Sequence, residues 1–233
     1  MEELDWQQTP MGEISLRRRR EPTLDVDVFE VRLGEEFLMS SLFTAAEVAL
    51  ADLGLAQAHG ESLDVVVGGL GLGYTAQAVL ADPRVRSLAV VEALGEVVGW
   101  HERGLLPVSS VLTADARCRF VHGDFFSAVA DGGFGGGTPD PVHAVLVDID
   151  HTPRQVLHPG HAAFYTSDGL RGVVDRLHPG GVFGLWSDAP PEPEFVALLG
   201  AVFASADAHV VTFPNHYTGG ESANTVYVAT TPA

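Results

Sequence analysis

Leu63-Asp64-Val65-Val66-Val67-Gly68-Gly69-Leu70-Gly71-Leu72-Gly73-Tyr74-Thr75 is the stretch that decides the fold of this chain. Leu63–Val67 is a short apolar run ending in glycines, the pattern of a parallel strand buried on both faces. From Tyr74 to Ala81 the spacing turns helical, and Asp82-Pro83 stops it. A glycine cluster carries meaning when a strand runs into it and a helix leaves it. Glycines let the chain turn tightly and let backbone approach a ligand with no Cβ between them. The helix start offers free N–H groups and a partial positive charge, which suit a carboxylate or a phosphate. Gly68, Gly69, Gly71 and Gly73 are therefore expected to form a cofactor-binding turn.

The same alternation continues downstream. Ser87–Val91 reads as a strand ending at Glu92, and Gly95–Arg103 as a helix. Arg119–His122 is the third strand, followed by Gly123-Asp124, and Ala144–Val147 the fourth, ending in Asp148. A helix over Ser167–Leu177 is expected to stop at His178-Pro179-Gly180-Gly181, before a fifth strand, Val182–Trp186. A helix over Glu194–Ser205 precedes two β-rich runs, His209–Phe213 and Thr225–Ala229. Such alternation predicts a mostly parallel, Rossmann-like α/β sheet with helices on both faces. The last two strands have no helix between them, so they form an antiparallel hairpin at the sheet edge. The glycine-rich segment Asp131–Asp140 follows no strand directly and reads as a surface connection.

Upstream, residues 1–10 read as loose, and Glu13–Arg17 with Leu24–Leu33 reads as a short β-hairpin. Ser40 or Ser41 is the expected cap of a helix over Ala45–Leu55. The expected organisation is an N-terminal hairpin-and-helix extension over residues 1–58 and a ligand-binding domain over 59–233.

The formal net charge of −18 repels nucleic acid and suits a cationic small molecule. Arg17–Arg20 is a local exception, read as a solvated strand edge rather than an anion patch. No apolar run is long enough to span a membrane, and the acidic start is unlike a signal peptide. With one cysteine, Cys118, no intrachain disulfide can form, and the expected location is the cytoplasm.

Glu92 falls 19 residues after Gly73 at a strand end, where a carboxylate accepts both ribose hydroxyls. Asp124, past the next strand, is placed to receive an adenine amino group, or alternatively to cap a helix. Gly69, Gly71 and Gly73 are spaced G-x-G-x-G, whereas a dinucleotide fingerprint is G-x-G-x-x-G. That spacing and the terminal hairpin favour S-adenosylmethionine, or its decarboxylated form, over NAD.

From Leu63 to Ala229 the chain resembles the spermidine synthase family, aminopropyltransferases built on the class I methyltransferase fold. The resemblance rests on the glycine turn, on Val147-Asp148, on Phe164-Tyr165-Thr166, and on His178–Phe183 with Trp186-Ser187. It implies that Asp148 is the catalytic aspartate and that the N-terminal hairpin is a shortened β-domain. Three departures stand out. Synthases carry an aspartate in the glycine turn for the free amine of the decarboxylated cofactor, and Gly71 stands there. Their second aspartate after the fourth strand falls on His151, with Asp150 one place early. Their N-terminal Tyr-Gln motif has no match.

The expected chemistry is attack by a small nucleophile on a carbon bonded to a sulfonium, which requires alignment, proton removal and exclusion of water. Asp148, Asp150 and His151 are the expected catalytic groups, with Tyr165, Trp186 and Phe213 lining the acceptor pocket. Methyl transfer is favoured over aminopropyl transfer, and a non-catalytic nucleoside-binding protein is the further alternative. The Asp148, Asp150, His151, His158 and His161 cluster matches no strong ligand spacing, so no metal is expected. The exposed hairpin suits a homodimer.

Overall fold

A computed structural model describes residues 1–233. Two sheets organise it. The first is antiparallel, with β1 (Glu2–Thr9), β2 (Gly12–Glu21), β3 (Val26–Leu33) and β4 (Glu36–Ser40) side by side in chain order. The second has seven strands: β5 (Leu63–Gly68), β6 (Val85–Glu92), β7 (Cys118–His122), β8 (Val142–Val147), β9 (Leu177–Ser187), β10 (Ser205–Asn215) and β11 (Gly220–Thr230). Their spatial order is β10-β11-β9-β8-β5-β6-β7. β5 to β9 run parallel, while β11 is antiparallel to both β9 and β10. The expected Rossmann-like α/β sheet with its terminal hairpin is therefore the observed one.

The chain lays strands outward from β5 through β6 to β7, then returns to start β8 on the other side of β5. In open α/β sheets that reversal leaves a crevice at the carboxyl ends of the two central strands. Here those ends carry Gly68 and, just past Val147, Asp148.

Helices α1 (Ala45–Gln57), α2 (Tyr74–Ala81), α3 (Gly95–Glu102) and α4 (Ser109–Ala114) share one hydrophobic cluster with one sheet face. Ile14, Leu16 and Val31 of the small sheet join that cluster. Helices α5 (Phe125–Ala130), α6 (Ser167–Val174) and α7 (Pro193–Val202) cover the opposite face with a second cluster. α1 lies against α2, β9 and β11, and Gly54 leaves room for Leu146 beneath it. It belongs to the large sheet's helical layer, so the small sheet ends at the turn before Thr44.

Several local expectations change. Residues 2–9 form a full strand rather than a loose end. Glu2 and Glu3, atypical of strands, face Arg18 and Arg17 at 2.6 and 3.6 Å. Arg19 pairs with Glu21 and Glu30, and Arg20 with Asp25 and Asp27. The arginine run is thus not a strand edge: β2 lies between β1 and β3, and neighbouring carboxylates partner all four side chains. Phe37-Leu38-Met39 lies in β4. Thr44, not Ser40 or Ser41, precedes α1, and it makes no side-chain cap. α6 ends at Val174, and β9 already runs through His178–Gly181, where a helix stop was expected.

β1 is tied to the large domain through one carboxylate. Asp5 accepts from the Trp100 indole N–H at 2.6 Å and from Arg103 at 2.5 Å. Trp100 is fully buried, so its N–H depends on that partner. Asp5→Ala is expected to lower stability by about 1–3 kcal/mol in urea denaturation, the penalty for leaving such a donor unpaired. Tryptophan fluorescence follows the unfolding in that titration.

Candidate functional site: two cavities that meet at Asp148

The turn after β5 is drawn against the end of β8. The Asp148 N–H donates to the Gly68 carbonyl at 2.8 Å. Gly69 has φ +93°, and a Cβ there would lie 2.1 Å from the Asp148 carbonyl oxygen. No other residue type fits at that position. The Gly69 N–H in turn donates to the Val91 carbonyl at 2.9 Å, so the turn is held between its two neighbouring strands.

A cavity of about 280 Å³ lies beside the turn. Gly69, Gly71, Glu92, Asp124, Phe126 and His161 are on its walls, and Ile14, Val31 and Leu38 of the small sheet form its roof. Glu92 accepts from the N–H groups of Leu70 (2.9 Å), Gly71 (3.5 Å) and Leu94 (2.8 Å). Burial raises its pKa, and those backbone N–H bonds oppose the rise. Asp124 is the N-cap of α5: one oxygen accepts from the Phe126 N–H (2.8 Å) and Ser127 N–H (3.3 Å), the other from the Ser127 hydroxyl (3.2 Å). Gly68 is set behind the turn against the Phe125 ring, where a Cβ would meet ring carbon at 2.7 Å.

A second cavity of about 440 Å³ opens on the other side of Gly71. It shares Leu38, Met39, Gly71, Asp148, Ile149 and Leu157 with the first. Glu47, Tyr74, His151, Trp186, Asp188 and Phe213 are on its walls. Asp148 accepts from the Thr75 hydroxyl at 2.8 Å. Burial pushes the Asp148 carboxyl up to about 6, against that hydrogen bond. Burial, reinforced by the Asp148 charge, pushes Glu47 up to about 8. The Trp186 indole N–H is buried with no hydrogen-bond partner, in a residue that lines this cavity. Met39 covers Gly71, its sulfur 2.9 Å from where a Cβ would stand.

The expected site residues thus divide. Gly69, Gly71, Gly73, Glu92, Asp124, Asp148, His151, Trp186 and Phe213 line one cavity or both. His151 sits 3.0 Å from Glu36 and 3.5 Å from Asp188, tying β4 of the roof to the end of β9. Asp150 and Tyr165 line neither cavity. Asp150 is buried and fully engaged, accepting from the Leu157 N–H (2.7 Å), the Tyr165 hydroxyl (2.9 Å) and the His161 ring (2.9 Å). A carboxylate so enclosed organises its loop, and it does not reach an acceptor. Tyr165 packs among Phe126, Phe164 and Phe195.

Sequence reasoning missed Glu47, His101 and the placement of His161. His101 lies beneath the turn, its Nε2 2.9 Å from the Gly71 carbonyl, and burial lowers its pKa. Glu47 stands in the first turn of an alanine-rich helix, where an acid is ordinary. Only the tertiary fold brings it to Asp148.

No family model matches the sequence. Among solved structures, the chain is similar to a spermidine synthase from Thermotoga maritima, with 16% identity over 98% of this chain and 72% of that one, TM-score 0.74. It is similar to a spermidine synthase in complex with the transition state analogue AdoDATO, with 17% identity over 98% and 73%, TM-score 0.75. It also matches human methyltransferase-like protein 13 in complex with SAH, with 20% identity over 80% and 79%, TM-score 0.54. This is the fold that spermidine synthases and class I methyltransferases share. At these identities the likeness speaks for the fold, and the chemistry is argued from the cavities.

The raised pKa values have a consequence for stability. Between the ordinary glutamate value of 4.5 and about 8, the folded chain holds a proton on Glu47 that the unfolded chain has released. Stability is therefore expected to fall as pH rises through that window. Asp148, raised to about 6, contributes with the same sign at its lower end. Glu47→Gln, which keeps the neutral form, is expected to flatten the slope of melting temperature against pH above about 6. An unchanged slope assigns the linkage elsewhere.

Proposed function

We propose that this chain is an S-adenosylmethionine-dependent transferase that moves a methyl group to a small nucleophile. The observation that carries the reading is the meeting of the two cavities at Gly71 and Asp148. One cavity has the groups that hold a nucleoside; the other is a separate, acid-lined chamber, and Asp148 faces both. The donor supplies a carbon activated by its sulfonium.

The chain's own residues account for the rest. Gly69 and Gly71 let backbone pass close to the donor with no side chain between. Gly73 offers no side-chain cap to α2, so the first N–H groups of that helix remain available to a carboxylate. Beyond the three N–H groups it already accepts, the Glu92 carboxylate has acceptor capacity left for about one ribose hydroxyl. Asp148 orients the acceptor and takes its proton, a role suited to a carboxyl raised towards neutrality. The roof formed by the small sheet keeps water from the junction.

Gly71 favours the intact cofactor over the decarboxylated one. Met39 occupies the space above it, and no acid there would pair with a free amine. The second reading is aminopropyl transfer from decarboxylated S-adenosylmethionine. Glu47, Asp148 and Asp188 on one cavity wall favour it to the extent that they suit an amine-bearing acceptor, which either reaction could use.

Calorimetry with S-adenosylmethionine, its decarboxylated form and NAD separates these readings. The intact cofactor is expected to bind and NAD not to. Binding of the decarboxylated form alone would overturn methyl transfer, and binding of none would overturn the transferase reading. Glu92→Ala is expected to weaken binding by about 1.5–3 kcal/mol through lost charge-assisted hydrogen bonds. Asp148→Asn is expected to reduce turnover by about 10²–10⁴-fold while leaving cofactor binding in place.

A further inference from the structure

Asp124 was expected to read the adenine amino group, yet both of its oxygens are engaged at the head of α5. The base end of the nucleoside cavity has another polar group. His161, on the 3-10 turn Pro159–Ala163, is among its lining residues, and its ring stacks on Phe126 at 4.0 Å between centroids, 28° from parallel. The Phe126 ring is on the same wall. Together they make an aromatic surface next to the Asp124 cap.

The orientation of the His161 ring is determined by what lies behind it. Its Nδ1 is 2.9 Å from Asp150 Oδ1. That same oxygen accepts from the Leu157 N–H, and the other accepts from the Tyr165 hydroxyl. Burial and the Asp150 charge raise the Tyr165 pKa, so the phenol keeps its proton and remains a donor. Asp150 therefore has only acceptor capacity to offer the ring, and Nδ1 must carry the hydrogen. In the neutral ring this leaves the lone pair on Nε2, which has no partner within the protein. Asp150, buried and outside both cavities, thus has a use: it sets the tautomer of a histidine that reaches one of them.

We infer that His161 Nε2, held as a hydrogen-bond acceptor by Asp150, reads the exocyclic amine of the adenine base. This rests on the nucleoside-binding reading above and adds a base-specific contact to it. Hypoxanthine presents an oxygen where adenine presents the amine. Against the Nε2 lone pair it would set acceptor facing acceptor, and the site would reject it. Asp124 is then a helix cap that shapes the wall, and Asp150 is a positioning residue acting through His161.

The test uses 5′-methylthioadenosine and 5′-methylthioinosine, which lack the amino-acid end and so leave aside the choice between methyl and aminopropyl transfer. Calorimetry is expected to show the adenine compound binding at least about tenfold more tightly, the scale of one buried unsatisfied polar group. His161→Phe keeps an aromatic stack on Phe126 and removes the lone pair. It is expected to bring the two affinities to within about threefold, chiefly by weakening the adenine compound. Asp124→Asn, which can still cap α5, is expected to keep the preference. If Asp124→Asn abolishes the preference and His161→Phe keeps it, the inference is overturned. Equal binding of both compounds to the unmodified chain overturns it while leaving the nucleoside site standing. Binding of neither removes the nucleoside reading itself. Nitrogen-15 spectra of the unmodified chain give a check that no folding defect can mimic. They should show the neutral His161 ring protonated at Nδ1, with the Nε2 resonance moving on addition of the adenine compound. A proton on Nε2, or a resonance that does not move, overturns the assignment.

Discussion

The chain leaves β5 so close to the end of β8 that residue 69 has no room for a side chain: a Cβ would lie 2.1 Å from the Asp148 carbonyl oxygen. Much of the site follows from that approach. It places the glycine turn, the start of α2 and the Asp148 carboxylate within one crevice at the reversal of strand order. It brings Thr75, in the first turn of α2, into hydrogen-bonding distance of Asp148. It also makes Gly71 and Asp148 part of both cavities, so that whatever lies on the turn meets whatever lies in the acid-lined chamber. A backbone contact a single atom wide thus couples binding geometry to candidate chemistry.

The small sheet is the second constraint. Its apolar face adds Ile14, Leu16 and Val31 to the main core, and β4 lays Leu38 and Met39 over the turn. Arginine–carboxylate pairs also connect its strands. The exposed ones among them contribute little each to stability. Their value lies in register, since the two acids of β1 meet the two arginines of β2 only in one alignment. Asp5, gripped by Trp100 and Arg103, then anchors the sheet to α3. That anchor adds to the apolar packing of the small sheet and to the His151 bridge from β4 to the end of β9.

The large sheet was legible because its strands are short apolar runs between glycines and helical spacing, a pattern set by burial on both faces. The N-terminal strands were harder to read. Glu2-Glu3 and Arg17–Arg20 look like solvated segments when taken singly, and only their pairing makes them strands. His178–Gly181 carries helix-stop residues, yet it continues β9 as an irregular stretch: the register with β8 shifts there, and Gly180 and Gly181 bond to Pro232 and Thr231 just past β11. In the site, the glycine turn, Glu92 and Asp148 could be read from their places at strand ends. Glu47 could not, since its proximity to Asp148 arises from α1 lying across the sheet.

Asp148, Asp150 and His151 looked like one acid–base cluster because they are adjacent in sequence. The structure gives them three different surroundings. Asp148 directly follows β8 and remains on the cavity wall. His151 reaches Glu36 and Asp188, bridging the roof and the end of β9. Asp150 turns inward and accepts three hydrogen bonds from the segment that follows it. The physical reason is that the chain ceases to be a strand after Val147, so the alternation that would place residues 148 and 150 on one face no longer applies. An inward carboxylate must satisfy its lone pairs within the protein, and here it does so by drawing Leu157, His161 and Tyr165 around itself. That internal requirement shapes the loop from residue 150 to 165, which brings Leu157 to the boundary shared by the two cavities and His161 to the wall of one. Asp150 therefore governs the site without facing it, and its influence is exerted through the residues it holds.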